Sequence, residues 1–196
     1  MWDQRYSEPG YAYGTDANEF LKQHYAAIPA GGRVLCLAEG QGRNAVFLAQ
    51  HGYDVTAVDA SSIGLQCART LAAQRGVEIA TVVADLADFP LEPRAWHGIV
   101  SIFCHLPPPA RIRLHAQIAQ ALVPGGVMIL EAYTPAQLRL KSGGPPLAEM
   151  MMTAQTLRDE LAGLDFVQLR ELEREVVEGK YHTGRGAVVQ LLGSRR

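Results

Sequence analysis

The chain predicts an α/β fold, a doubly wound and mostly parallel sheet with helices on both faces. Three observations carry this. Apolar runs of strand length alternate along the sequence with amphipathic runs of helix length. The strand runs are apolar throughout, as a sheet covered on both faces requires. Glycines stand where the helices should stop, at Gly31-Gly32, Gly52 and Gly76.

Taken in order, an N-terminal segment rich in Tyr and Gly (Trp2, Tyr6, Tyr11, Tyr13) precedes Asp16-Ala17-Asn18-Glu19, which reads as a capping box. The helix it opens should bury Phe20, Leu21, Tyr25 and Ile28. A first strand is expected over Arg33 to Leu37, a helix from Gly42 to His51, and a second strand over Asp54 to Asp59. A helix from about Ser61 to Arg75 leads to a third strand, Val77 to Ala84, ending at Asp85. Gly98 to Phe103 is the fourth strand, and Pro107-Pro108-Pro109 lead a helix from about Ala110 to Leu122. Val123-Pro124-Gly125-Gly126 then turn into a fifth strand, Val127 to Ala132. Beyond a loop at Lys141 to Pro146, Met150-Met151-Met152 precede a helix carrying Leu157 and Leu161. The last two strand candidates, around Phe166 to Leu172 and Ala187 to Leu192, are too close for a helical crossover and should pair antiparallel.

Composition narrows the function classes. At 196 residues with 48% hydrophobic side chains, a single well-cored domain is expected. A net charge of −2 gives no electrostatic reason to expect nucleic acid or a membrane as partner. The start, Met1-Trp2-Asp3-Gln4-Arg5, lacks the apolar run of a secretory signal, so a cytoplasmic location is expected. Cys36, Cys67 and Cys104 are far apart and form no CxxC pair, which favours buried thiols over a disulfide framework or a zinc site.

The richest segment is Val34-Leu35-Cys36-Leu37-Ala38-Glu39-Gly40-Gln41-Gly42-Arg43-Asn44. Gly40 and Gly42 remove the Cβ atoms that would keep a nucleotide-like ligand off the backbone. Glu39 adds an acid at a helix N-terminus, where a pyrophosphate would be repelled. The loop therefore suits a nucleoside ligand carrying positive charge. Gly40-Gln41-Gly42-Arg43-Asn44-Ala45 nevertheless fits the GxGxxA dinucleotide fingerprint, and Asp59 lies 19 residues past Gly40, where a ribose-binding acid belongs. An NAD-dependent oxidoreductase is thus an alternative, although no Tyr-x-x-x-Lys pair is present.

These residues, together with Val83-Ala84-Asp85-Leu86-Ala87-Asp88-Phe89 and Leu122-Val123-Pro124-Gly125-Gly126, resemble the class I S-adenosylmethionine-dependent methyltransferases. Within that class the chain is most similar to the small bacterial tellurite-resistance and thiopurine-type enzymes. The resemblance covers nearly the full length. It implies a Rossmann-like seven-stranded sheet whose last strand is antiparallel, and S-adenosylmethionine as cofactor. One domain, 1–196, would divide into a lid segment (1–15), a cofactor-binding core (16–133) and a substrate-side loop, helix and strand pair (134–196).

The resemblance also implies site residues. The loop Glu39, Gly40, Gln41, Gly42, Arg43 and Asn44 would meet the amino-acid end of the cofactor. Asp59 would bind the ribose hydroxyls with Ala60 and Ser61 beside it, and Asp85 the adenine amino group, flanked by Ala84 and the Leu86 backbone. Phe103, Cys104 and His105 would lie beside the reactive methyl. On the acceptor side, His105, His182 and Arg185 are the catalytic candidates, the last two expected in a Gly-flanked loop that could hold an oxyanion. Tyr181 is a further acceptor-side candidate, and Tyr6 and Tyr13 would form the lid. Two positions depart from the family pattern: Cys36 replaces an acid, and Ala38 replaces a glycine, which is tolerable if φ there is negative.

After the fourth strand the chain has Cys104-His105-Leu106-Pro107-Pro108-Pro109, without the Asn/Asp-Pro-Pro-aromatic motif of adenine and glutamine methyltransferases. A small-molecule acceptor, with a soft thiol or metalloid nucleophile foremost, is expected over nucleic acid, and no obligate protein partner is evident. Glu131 alone is poor support for a metal. A non-catalytic cofactor-binding module is the third reading.

Overall fold

A computed structural model of the chain describes residues 2–196. Of the expected lid segment 1–15, Met1 lies outside the described residues. Helices α1 (Trp2–Tyr6) and α2 (Glu19–His24) lead to β1 (Arg33–Leu37), α3 (Arg43–Gln50), β2 (Asp54–Asp59), α4 (Ser62–Gln74) and β3 (Ala80–Val83). There follow β4 (Trp96–Ile102), α5 (Pro108–Ala121), β5 (Leu122–Tyr133), α6 (Ala154–Glu160), β6 (Leu164–Glu178) and β7 (His182–Arg195).

The seven strands form one sheet in the order β3-β2-β1-β4-β5-β7-β6. Pairs β3/β2, β2/β1, β1/β4 and β4/β5 are parallel, while β7 runs antiparallel to both neighbours. Only β7 is reversed. The pleat of β1 sends Leu35 and Leu37 to one face and Val34 and Cys36 to the other. The first pair packs with Leu114 and Ile118 of α5 and Leu157 of α6. The second packs with Phe20 and Leu21 of α2, Leu48 of α3 and Leu65 of α4. This is the expected doubly wound arrangement.

Element boundaries depart from expectation where side chains take over backbone roles. The cap of α2 is Asn18, whose side chain accepts from Leu21 N, and not Asp16. Asn18 is buried, and its own N–H donates to Asn44 Oδ1, which fixes the helix start there. The third strand is shorter than read, because Gly76 is left-handed (φ 68°) and Val77 N still bonds back to Ala72 O. Val77 therefore finishes the cap of α4, and pairing with β2 starts only at Ala80. The terminal strands are far longer than read. The register Glu178↔His182 leaves only Gly179-Lys180-Tyr181 as the turn, so His182 and Arg185 lie on β7 and not in a loop.

Gly42 has a packing reason as well as φ 92°: a Cβ there would come within 2.6 Å of Ala68 Cβ where α3 and α4 pack. Among the described residues, no helix is long and apolar enough to cross a membrane.

Candidate functional site

The parallel strands β1, β2, β3 and β4 end on one edge, where open α/β sheets place their ligands. The β1–α3 turn runs through Ala38 (φ 51°), Gly40 (φ 60°) and Gly42 (φ 92°). The negative φ expected for Ala38 is not found. The alanine sits in the left-handed region, at a cost of about 1–2 kcal/mol. Glu39 Oε1 accepts from both Asn44 N and Ala45 N, each at 2.9 Å. The helix N-terminus is thus filled by the protein's own carboxylate. Burial pushes Glu39 up to about 7, against the pull of those two N–H groups and of Arg43.

Asp59, at the end of β2, is buried, and its two oxygens accept from Gly40 N and Ser61 N, each at 2.8 Å. Burial raises its pKa, while the same N–H groups oppose the rise. Ser61 caps α4 by accepting from Gly64 N, and Ala60 beside it is exposed. Opposite Asp59 in the register is Val83 on β3, and two residues further on Asp85 is exposed, accepting from Ala87 N at 2.9 Å. Leu86 is buried and Ala84 is half-buried, its N–H bonded to Asp59 O.

The remaining loop side chains hold other parts of the chain. Gln41 accepts from Ala12 N at 2.7 Å and donates to Gly10 O, Asn44 accepts from Asn18 N, and Arg43 pairs with Glu178 at 2.5 Å. Residues 2–13 thereby lie across the strand ends. Tyr6 is buried, and a Cβ on Gly40 would fall 2.5 Å from its hydroxyl, so the glycine admits the ring. Ser61 donates its hydroxyl to Asp3. Arg5 donates to the Tyr13 hydroxyl at 2.9 Å and stacks over Tyr181, whose own hydroxyl donates to Glu8 at 2.7 Å. The structure thus brings Tyr6, Tyr13 and Tyr181 into one segment-to-hairpin contact.

On the acceptor side, Phe103 follows β4 with φ 52°, a left-handed non-glycine residue with a buried bond from its N–H to Glu131 O. Its ring stacks on Tyr133 (4.6 Å between centroids) and meets His182 edge-on (4.7 Å). Cys104 is buried, and burial raises its thiol to about 12, so it stays neutral. His105 has both nitrogens engaged: Nδ1 donates to Phe103 O and Nε2 accepts from Tyr133 N, each at 3.0 Å. Burial lowers its pKa to about 4 and fixes a neutral tautomer. His182 is also pushed down, to about 3, by burial and by Arg43. Arg185 points to solvent and pairs with Glu173 at 2.6 Å, away from His182. The expected oxyanion pair of His182 and Arg185 is not assembled, because residues three apart on a strand face opposite sides.

Sequence reading missed a buried charge network. Glu131 on β5, fully buried, accepts from Arg174 Nε at 3.1 Å, Gln190 at 2.5 Å and Asn18 at 2.9 Å. Glu178 accepts from Arg43, from Arg174 at 2.9 Å and from Asn18 at 2.9 Å. Burial opposes its ionisation, but Arg43 and Arg174 outweigh that and hold its pKa below the ordinary range. Two acids meet two arginines, so the network is neutral. The available signal was the strand period: Leu172, Arg174, Val176 and Glu178 share one face of β6, with exposed Val177 on the other.

A seven-stranded sheet in this order with a single reversed strand is the Rossmann-like methyltransferase fold. Residues 34–126 match the family described as methyltransferase domain. Among solved structures, the chain is similar to an S-adenosylmethionine-dependent methyltransferase of Methanosarcina mazei, with 16% identity and a TM-score of 0.73 over 92% of this chain and 98% of that one. TehB of Haemophilus influenzae gives 18% and 0.72 over 100% of this chain and 66% of the other. A protein solved in a study of the conversion of a disulfide bond into a thioacetal group during echinomycin biosynthesis gives 20% and 0.76, over 96% and 85%. At such identities the likeness carries the fold. No curated protein matches the chain in sequence.

Proposed function

We propose that the protein transfers a methyl group to a small soft nucleophile, with the cofactor seated on the ends of β1, β2 and β3. The observation that carries this reading is the pairing of Asp59 and Asp85 on adjacent strand ends with a helix N-terminus already occupied by Glu39. In this reading Asp59 holds the ribose hydroxyls and Asp85 the adenine amino group, with Ala60, Ser61, Ala84 and Leu86 framing the nucleoside. A dinucleotide's pyrophosphate would need the N–H groups that Glu39 takes.

S-adenosylmethionine supplies an electrophilic methyl on a positively charged sulfur. The chain's own part is alignment and exclusion of water, which can be worth roughly 7–11 kcal/mol. Gly40 and Gly42 let the backbone approach, Phe103 sets the strand-end corner, and residues 2–13 act as the lid, with Tyr6 withdrawing from Gly40 as the cofactor enters. Arg43 and Asn44 brace this loop from behind, and Gln41 ties it to the lid. His105 has both nitrogens bonded, and burial holds His182 too weakly basic, at about 3, to take a proton from an acceptor. Arg185 has no place in this mechanism. The acceptor therefore arrives already ionised.

The test is calorimetry of the wild-type protein with S-adenosylhomocysteine and, separately, with NADH. Saturable binding of the former alone is expected. Binding of NADH alone would replace the reading with an oxidoreductase. Methylation of a thiol or oxyanion acceptor then separates an enzyme from a cofactor-binding module.

A further inference from the structure

Residues 2–13 cross the strand ends without pairing into the sheet, so their backbone groups need partners from side chains and turns. Ala12 finds one on each side. It is buried, its N–H donates to Gln41 Oε1 at 2.7 Å, and its carbonyl accepts from Lys180 N at 2.9 Å. Gln41 also donates to Gly10 O, so one buried side chain offers the segment a donor and an acceptor, as a neighbouring strand would. The second seat is the β6–β7 turn. Gly179 there has φ 75°, and a Cβ on it would collide with the Tyr13 backbone, so the missing side chain admits the segment. A buried ion pair spaces the two seats: Arg43 lies two residues past Gln41, and its partner Glu178 directly precedes Gly179.

Held this way, the segment lays the Tyr6 ring on Gly40 and Gly64, and Asp3 ties it to Ser61 at the start of α4. The ring closes the backbone approach that the two glycines of the turn open, so the segment must lift before a ligand reaches Asp59. Gln41 belongs to that turn by sequence, yet its side chain is spent on the segment. We propose that Gln41 is a positioning residue: it latches residues 2–13 over the site, and its release sets how fast cofactor and product exchange. The proposal rests on the methyltransferase reading above. The latch grips the same two backbone groups with the site empty or filled, so it slows entry and release alike and leaves affinity nearly unchanged. A side chain that touched the cofactor would change release and affinity together.

The test pairs Gln41→Met, which keeps the length and removes both bonds, with Ala12→Pro, which removes the N–H from the segment's side and leaves the glycine turn intact. In either variant without cofactor, trypsin cleavage after Arg5 should quicken about tenfold, the opening expected when one or two neutral hydrogen bonds are lost. Stopped-flow tryptophan fluorescence, to which Trp2 of the segment contributes, should show S-adenosylhomocysteine binding and release both about tenfold faster, with Kd moving less than about threefold. The double variant should be little faster than Gln41→Met alone, since the two changes break one contact. Ala12→Pro also serves if Gln41→Met does not fold. Cleavage or exchange at wild-type rates in the folded variants overturns the proposal. So does faster release with Kd rising in step, which would make Gln41 a cofactor contact. If S-adenosylhomocysteine fails to bind the wild type, the methyltransferase reading itself has failed. If it binds and its exchange ignores both changes, only the latch falls.

Discussion

The two halves of the sheet satisfy their polar groups by different means. In the half built from β1 to β4, partners are backbone N–H groups close in sequence. Glu39 reaches five and six residues ahead, and Asp59 two ahead and 19 back. In the half built from β5 to β7, partners are side chains brought from afar. Arg174 lies 43 residues from Glu131, Arg43 lies 135 from Glu178, and Asn18 lies 160 from Glu178. The first kind of site is a property of a turn and survives as a motif. The second exists only once the whole sheet has closed, so it also locks the hairpin that carries Tyr181 and His182 to the loop that begins α3.

The comparison is sharpened most by breaking the long-range side. Arg174→Met leaves Glu131 and Glu178 buried with fewer partners, and urea unfolding should show a loss of about 3–5 kcal/mol. A loss below 1 kcal/mol would mean the network relaxes and is no lock.

A smaller effect is expected on the local side, from Glu39→Gln. Burial raises the folded-state pKa of Glu39 from 4.5 to about 7. The group therefore contributes stability that is full below about pH 4.5 and is lost as pH rises through about 7. Wild-type stability minus that of Glu39→Gln should fall across this window, by on the order of 2–3 kcal/mol, in denaturant melts taken at several pH values. A pH-independent difference would show that the carboxylate ionises freely in its turn.

The smallest effect concerns Ala38. Relieving its left-handed backbone with Ala38→Gly should raise stability by about 1 kcal/mol or less, since the added unfolded-state entropy offsets part of the gain. Thermal melts would register this as a rise of a few degrees.

Legibility in the sequence followed the same division. The strand and helix order, the antiparallel final pair and the glycine turn were readable because each is a local pattern. Asp59 and Asp85 were readable from their places at strand ends. The left-handed Ala38 and Phe103 were not, since no residue type there announces positive φ. Arg174 and Glu178 stood among the charges of Glu171 to Glu178, and only the hairpin's register shows which of them turn inward. His182 and Arg185 were read as loop neighbours because Gly184 and Gly186 look like turn residues. In the sheet they are strand residues, and their side chains part.

The most direct measurement is paired calorimetry of S-adenosylhomocysteine with the wild type and with Asp59→Asn. If the ends of β1, β2 and β3 hold the cofactor, Asp59→Asn should weaken binding about 10–100-fold. Equal affinity for wild type and Asp59→Asn would contradict the account.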